Sequence, residues 1–232
     1  MADNFLERQY DDYIAKKAAR ETQKRIAWQK QLKAYKAKMD AQKEAASLMD
    51  DSVVALRALE PTDLDLLFEW ENDSRQWSVS SRLAPYSRQM LWEYLERYDG
   101  DIYNSREIHF VVCQADSGSP VGMLDLFGFD PHNSRAEVGV HIVPGHRRKG
   151  YALRALEILK KYAFSHLGIN QLYGTIPAFH EPSVALFDKA GFDEQHVMPQ
   201  WVKQGGEFFD ALIVQCLKAP KAVNPYVPDS NS

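Results

Sequence analysis

Glu137-Val138-Gly139-Val140-His141-Ile142-Val143 runs through Pro144 into Gly145-His146-Arg147-Arg148-Lys149-Gly150-Tyr151-Ala152, and the rest of the chain is read outward from this junction. Its first half is strand-like. After it the apolar period turns helical, with Leu153, Leu156, Leu159, Ala163 and Leu167 on one side and Gly168 at the end. A strand that feeds a helix start leaves the first-turn amides unpaired and facing outward. Gly150 and Ala152 let an anion come close to the backbone, and Arg147, Arg148 and Lys149 add positive charge. The junction therefore reads as an anion site. No Gly-Lys-Ser/Thr follows, which excludes a P-loop, and the dinucleotide pattern Gly-x-Gly-x-x-Gly is missing.

Upstream, Asp116-Ser117-Gly118-Ser119 and Asp130-Pro131-His132-Asn133-Ser134 separate expected strands at 109–114, 120–129 and 135–143. Both separators are turn chemistry, so an antiparallel meander is expected. Before it come a strand at 53–59, a helix opened by Pro61-Thr62-Asp63, an irregular loop over 72–86 and a helix at 88–98. After the long helix come a strand at 171–176, a short helix at 182–189 and two strands near 192–202 and 208–217.

The 232 residues are 45% hydrophobic and 26% charged, enough to bury the core of one large domain, or of one domain plus an appendage. Residues 1–50 hold 11 Lys and Arg against 8 Asp and Glu, with neither Pro nor Gly, and read as a basic helical arm. Trp28, Leu32, Tyr35, Met39, Ala46 and Met49 give it a narrow apolar seam. Such a seam is not stable alone in water, so the arm is expected to dock on the body or pair with another copy in a homo-oligomer. Residues 51–218 form the folded domain, with 219–232 as a flexible tail. An excess of +3 on the arm is too small to indicate a nucleic-acid partner. No apolar run is long enough for a membrane span, the N-terminus lacks a secretory pattern, and Cys113 and Cys216 are expected as reduced buried thiols. The expected location is cytoplasmic.

Arg147-Arg148-Lys149-Gly150-Tyr151-Ala152 resembles the Arg/Gln-x-x-Gly-x-Gly/Ala pyrophosphate loop of the GNAT superfamily of acyl-CoA-dependent N-acyltransferases. The order of elements over 53–217 is similar too. The segment from Asn133 to Phe192 resembles the branch containing spermidine and ribosomal-protein N-terminal acetyltransferases. The resemblance implies an α+β fold with a mixed, mostly antiparallel central sheet flanked by helices, here carrying the added N-terminal arm. It also implies acetyl-CoA as acyl donor, held by the main chain of Ile142 and Val143 along its pantetheine and by the amides of Arg148, Lys149, Gly150, Tyr151 and Ala152 at its pyrophosphate. In many members the following helix carries Asn-x-x-Ser/Ala-x-x-Leu-Tyr before Gly-Phe. Here His180 replaces the Asn and Phe187 the Tyr, ahead of Gly191-Phe192. That Tyr often protonates the departing thiolate, which Phe187 cannot do.

Period 2 puts Glu137, Gly139, His141 and Val143 on one face of the third meander strand. Glu137 matches a glutamate of many relatives and is one candidate base. His141, whose reference pKa suits neutral pH, is the other. Tyr173 on the next strand is a candidate substitute acid. The base outweighs the acid: a thiol near pKa 8.5 leaves tolerably as thiolate, whereas an ammonium near about 10.4 cannot attack until it loses a proton. No His or Cys spacing indicates a metal. The expected reaction is direct acetyl transfer in a ternary complex to a small cationic amine such as a polyamine, or to a protein N-terminal amine. The competing reading, motivated by His180 and Phe187, is a non-catalytic acyl-CoA-binding sensor.

Overall fold

In the computed structural model, residues 15–17, 19–33, 48–77 and 82–218 are described. The chain divides into two compact units, Met1–Ala46 and Ser47–Ser232. In the first, residues 19–33 are helical, and Trp28 and Leu32 are its half-buried members. The remainder of the expected seam up to Ala46 lies outside the described residues, as does the tail after Lys218.

The second unit is built on one seven-stranded sheet in the order β1-β2-β3-β4-β5-β7-β6. Its strands are β1 (Val54–Ala58), β2 (Ile108–Gln114), β3 (Pro120–Asp130), β4 (Arg135–Ile142), β5 (Gln171–Pro177), β6 (Glu194–Gln204) and β7 (Glu207–Leu217). The helices are α1 (Leu64–Glu71), α2 (Arg88–Arg97), α3 (Tyr151–Lys161) and α4 (Glu181–Lys189). The expected meander is present: β2, β3 and β4 pair antiparallel. Every pairing is antiparallel except β4 with β5.

Alternation along the strands divides the apolar side chains between two layers. Phe110, Val112, Leu124, Leu126, Val138 and Ile142 pack with Ala155, Leu156 and Leu159 of α3 and Phe187 of α4. Val111, Cys113 and Met123 face the other way and pack with Leu67 of α1 and with Leu91 and Leu95 of α2. Both cysteines are free and buried.

Local chemistry sets the joints. Asp63 is 4% exposed and accepts both Arg57 guanidinium nitrogens at 2.7 and 2.8 Å and the Glu60 amide at 2.8 Å, fixing the single 3-10 turn that precedes α1. The Asn72 side chain bonds the amide and carbonyl of Tyr86, so the long loop after α1 is pinned at its base. Ser87 caps α2 by accepting from the Met90 amide. A helical turn at Ile102–Ser105, unforeseen in the sequence, starts at Asp101, whose carboxylate accepts from the Tyr103 amide. The long helix ends in a π-turn over Tyr162–His166, followed by Gly168 at φ +70°.

Candidate active site

The parallel neighbours β4 and β5 are eight and seven residues long, yet they pair only at Arg135↔Gln171, Ala136↔Leu172 and Glu137↔Tyr173. Beyond that rung they diverge and leave an opening in mid-sheet. Glu137 stands at its apex, where its Oε1 accepts from the Thr175 amide at 3.1 Å, the first such bond past the last rung.

Main-chain groups line the β4 side of the opening. The Val143 amide donates to Val121 of β3 at 3.0 Å and the Val143 carbonyl accepts from the His146 amide at 2.9 Å. Antiparallel alternation therefore turns Val140 and Ile142 toward the opening. This corrects the expectation for Val143, whose main chain is already committed, while the Ile142 amide and the Val140 main chain face the opening. The Ile142 carbonyl accepts from Arg147 Nε at 2.8 Å, which draws that guanidinium to the mouth of the opening.

Arg148 and Gly150 lie in the left-handed region at φ +60° and +84°. Among the described residues, the amides of Arg148, Lys149, Gly150, Tyr151 and Ala152 find no main-chain acceptor. Five free donors in a turn of alternating handedness at a helix N-terminus form a concave anion cradle. The loop fits a pyrophosphate, and the unpaired edge of β4 fits an extended amide-bearing arm.

The face of the sheet toward α1 holds the chemistry. His141 and Trp70 lie with ring centroids 6.4 Å apart and planes at 48°. They line a cleft of about 240 Å³ together with Asp73, Arg75, Val143 and Pro144. Burial and the nearby Arg147 charge hold the His141 pKa below the ordinary imidazole value, against the opposing pull of Asp73 and Asp125. His141 is thus neutral and able to accept a proton at neutral pH. Arg75 grips Asp73 through two nitrogens at 2.7 and 2.8 Å.

Two other expected site residues point elsewhere. The Tyr173 hydroxyl lies 3.7 Å from where a Cβ on Gly128 would stand, so it reaches across β4 toward β3, away from the opening. Burial and the Glu137 carboxylate push its pKa up. Phe187 is 4% exposed and packs edge-on against Phe192 at 4.8 Å. Its apolar ring belongs to the core and packs against Gly174 of β5. His180, at the start of α4, is half-buried and bonded through Nδ1 to Ser183 Oγ at 2.7 Å. Burial and Arg147 hold its pKa below the ordinary value. Trp70 is one of four tryptophans, with Trp77, Trp92 and Trp201, that the sequence offers as lining for an acceptor cleft, whereas Asp73 and Val140 carry no sequence signal of the site.

Residues 54–193 match the profile of the acetyltransferase (GNAT) domain. The chain belongs to the GNAT family. It is an acetyl-CoA-dependent N-acetyltransferase. Among curated relatives, this GNAT chain is 28% identical over 162 residues to the spermidine N(1)-acetyltransferase of Escherichia coli K12, covering 68% of this chain and 83% of that one. An uncharacterized N-acetyltransferase of Bacillus subtilis, YoaA, is 27% identical over 113 residues, 49% of this chain and 64% of that one. Spermidine N-acetyltransferase from Vibrio cholerae, solved in complex with CoA and spermine, superposes with a TM-score of 0.66 at 25% identity, covering 72% of this GNAT chain and 97% of that structure. Among the described residues no group of three or more His, Cys, Asp or Glu side chains comes together as a metal site, and no helix is long and apolar enough to cross a membrane.

Proposed function

We propose that the chain acetylates a polyamine-like primary amine, with His141 as the general base. The observation that carries this reading is the position of His141, a side chain of lowered basicity on β4 that lines the cleft with Trp70 and Asp73. A primary ammonium gives its proton to the imidazole, and the freed nitrogen attacks the thioester carbonyl carbon of acetyl-CoA. The C–N bond forms, the C–S bond breaks, and CoA leaves as thiolate. The main chain of Val140 and Ile142 aligns the donor substrate, and the amides of Arg148 to Ala152 hold its pyrophosphate. Such alignment supplies a large part of the rate without a dedicated acid, in keeping with the buried Phe187. Glu137 is assigned a positioning role, because its carboxylate holds the Thr175 amide and keeps the apex closed.

Half-buried carboxylates on the α1 side of the sheet favour a polycation over a neutral N-terminal segment, and the relatives that act on spermidine support the same class. A protein N-terminal amine is the alternative acceptor. The free buried thiols suit a reducing cytoplasm. We assign self-association to the N-terminal arm, supported by its apolar seam and by a spermidine N-acetyltransferase described as dodecameric.

The test is acetyl-CoA binding by calorimetry, followed by thiol release with spermidine, spermine and a peptide starting in Met or Ser. Binding with polyamine-dependent release is the expected result. Release with the peptide alone transfers the activity to protein N-termini, and binding without any release favours a sensor.

A further inference from the structure

Asp125 lies on the same sheet face as His141, one row away, and the reaction described above leaves it without a task. Strand register places His109 of β2, Asp125 of β3 and Gly139 of β4 side by side across the sheet. The neighbouring rows hold Val111, Met123 and His141 on one side and Phe127, Glu137 and Tyr173 on the other.

The two carboxylate oxygens of Asp125 differ in their surroundings. Oδ1 lies 2.7 Å from His109 Nδ1. Oδ2 points over Gly139, where an added Cβ would stand 3.8 Å from it and 3.2 Å from Phe127 Cε1. Any side chain at 139 would fill the space beside that oxygen. The Asp125 side chain keeps 26% of its exposure, so the space is reachable from solvent. The other carboxylates nearby have partners as well. Glu107 accepts the Tyr94 hydroxyl at 3.0 Å, Glu71 is held by Arg82, and Glu137 takes the Thr175 amide.

The His109 ring is held between two tyrosines and the Asp125 carboxylate. Tyr94 meets its ring edge-on at 5.9 Å, Tyr98 lies at 5.5 Å, and the Tyr98 hydroxyl accepts from the His109 amide. Its Nε2 is buried without a hydrogen-bond partner, 3.5 Å from Glu107 Oε1. Oδ2 takes no hydrogen bond among the described residues and is reachable from solvent, so it is available to a cation or donor that arrives from outside.

We propose that Asp125 is an acceptor-binding residue whose Oδ2, in the gap left by Gly139, holds a cationic nitrogen of the amine substrate, with His109 as the positioning residue that orients the carboxylate. The inference rests on the amine-acetylation reading and extends it by naming a side chain that selects for charge.

The test is steady-state kinetics on the full chain with saturating acetyl-CoA and varied spermidine. Asp125→Asn is expected to raise KM for spermidine by about tenfold or more, the loss of one charge-assisted hydrogen bond, with KM for acetyl-CoA unchanged. His109→Asn, which keeps an N–H near the Nδ1 position, is expected within about threefold of wild type, whereas His109→Ala follows Asp125→Asn. Gly139→Ala leaves the carboxylate in place and fills the gap, so it should also raise the amine KM; it is decisive if the Asp125 variant does not fold. Wild-type turnover with unchanged amine KM in Asp125→Asn or Gly139→Ala overturns the inference alone. Absence of wild-type turnover with every amine overturns the amine reading and this inference with it.

Discussion

The ring of Phe187 presses so closely on Gly174 that a Cβ on residue 174 would stand 2.9 Å from Cε1 and 3.3 Å from Cζ. The β5 wall of the opening is therefore set by a contact between a missing side chain and a buried aromatic. Gly174→Ala should destabilise the fold by about 1–3 kcal/mol through overpacking, read as a lower midpoint in urea. A midpoint equal to wild type would show that the ring has room to retreat.

His141→Ala is expected to lower kcat by roughly 10²–10⁴-fold while acetyl-CoA binding persists. The pH profile carries the sign of its shifted pKa. A base must be neutral, so kcat/KM should fall as pH drops, with the midpoint below the ordinary 6.5 because burial and Arg147 disfavour the imidazolium. An acid limb that survives unchanged in His141→Ala would assign it to another group.

Gly150 holds φ +84° at the head of α3, with free space where a Cβ would stand. Gly150→Ala thus tests backbone strain and not crowding. It should cost about 1–2 kcal/mol of stability and weaken acetyl-CoA binding by calorimetry, as the loop relaxes and its amides turn. Unaltered affinity would remove the cradle from the account.

Burial alone would lower the pKa of His109, but the Asp125 hydrogen bond and charge, with Glu107, more than reverse this and raise it. The groups facing its ring are Asp125, Glu107, Tyr94 and Tyr98, with Glu71 contributing at longer range. Stability from a raised imidazole is complete below its unfolded value and is lost as pH climbs through the folded one. The stability advantage of wild type over His109→Asn in urea should therefore be complete below about pH 6.5 and shrink as pH rises above it. A difference that stays constant, or grows with pH, contradicts the ion pair.

Asp63→Ala strands Arg57 and frees the Glu60 amide, since both rely on that carboxylate. Because Arg57 retains 38% exposure, the loss should lie near the low end for a broken buried pair, about 3 kcal/mol, measured by chemical unfolding. Acetyl-CoA affinity of the folded fraction should not change, because the pair lies at the start of α1, away from the loop at 147–152.

What could be read from the sequence was what depends on neighbours along the chain. The strand-to-helix junction, the free amides at 148–152 and the face shared by Glu137 and His141 follow from local period and from the left-handed demand met by Gly150. What stayed hidden depends on distant partners. Glu137 bonds an amide 38 positions away, so its role as apex closure cannot be seen in one strand. Tyr173 turns toward Gly128 because the glycine on β3 leaves room there, and Phe187 is drawn into the core by Phe192 and Gly174. Val143 is lost to the cofactor edge because its amide belongs to β3. Asp125 and His109 did leave a trace, each a polar residue interrupting an apolar strand, but their pairing requires the register between β2 and β3.

The sheet is a pair of leaves, β1 to β4 and β5-β7-β6, hinged along three rungs between Arg135 and Glu137 and latched by the Glu137 bond to Thr175. If, as we propose, the donor lies along Ile142 and Val140, it acts as a splint across the gap. Occupancy then stiffens both leaves at once, and amide exchange in β4 and β5 should slow together even though the two strands share so few bonds of their own.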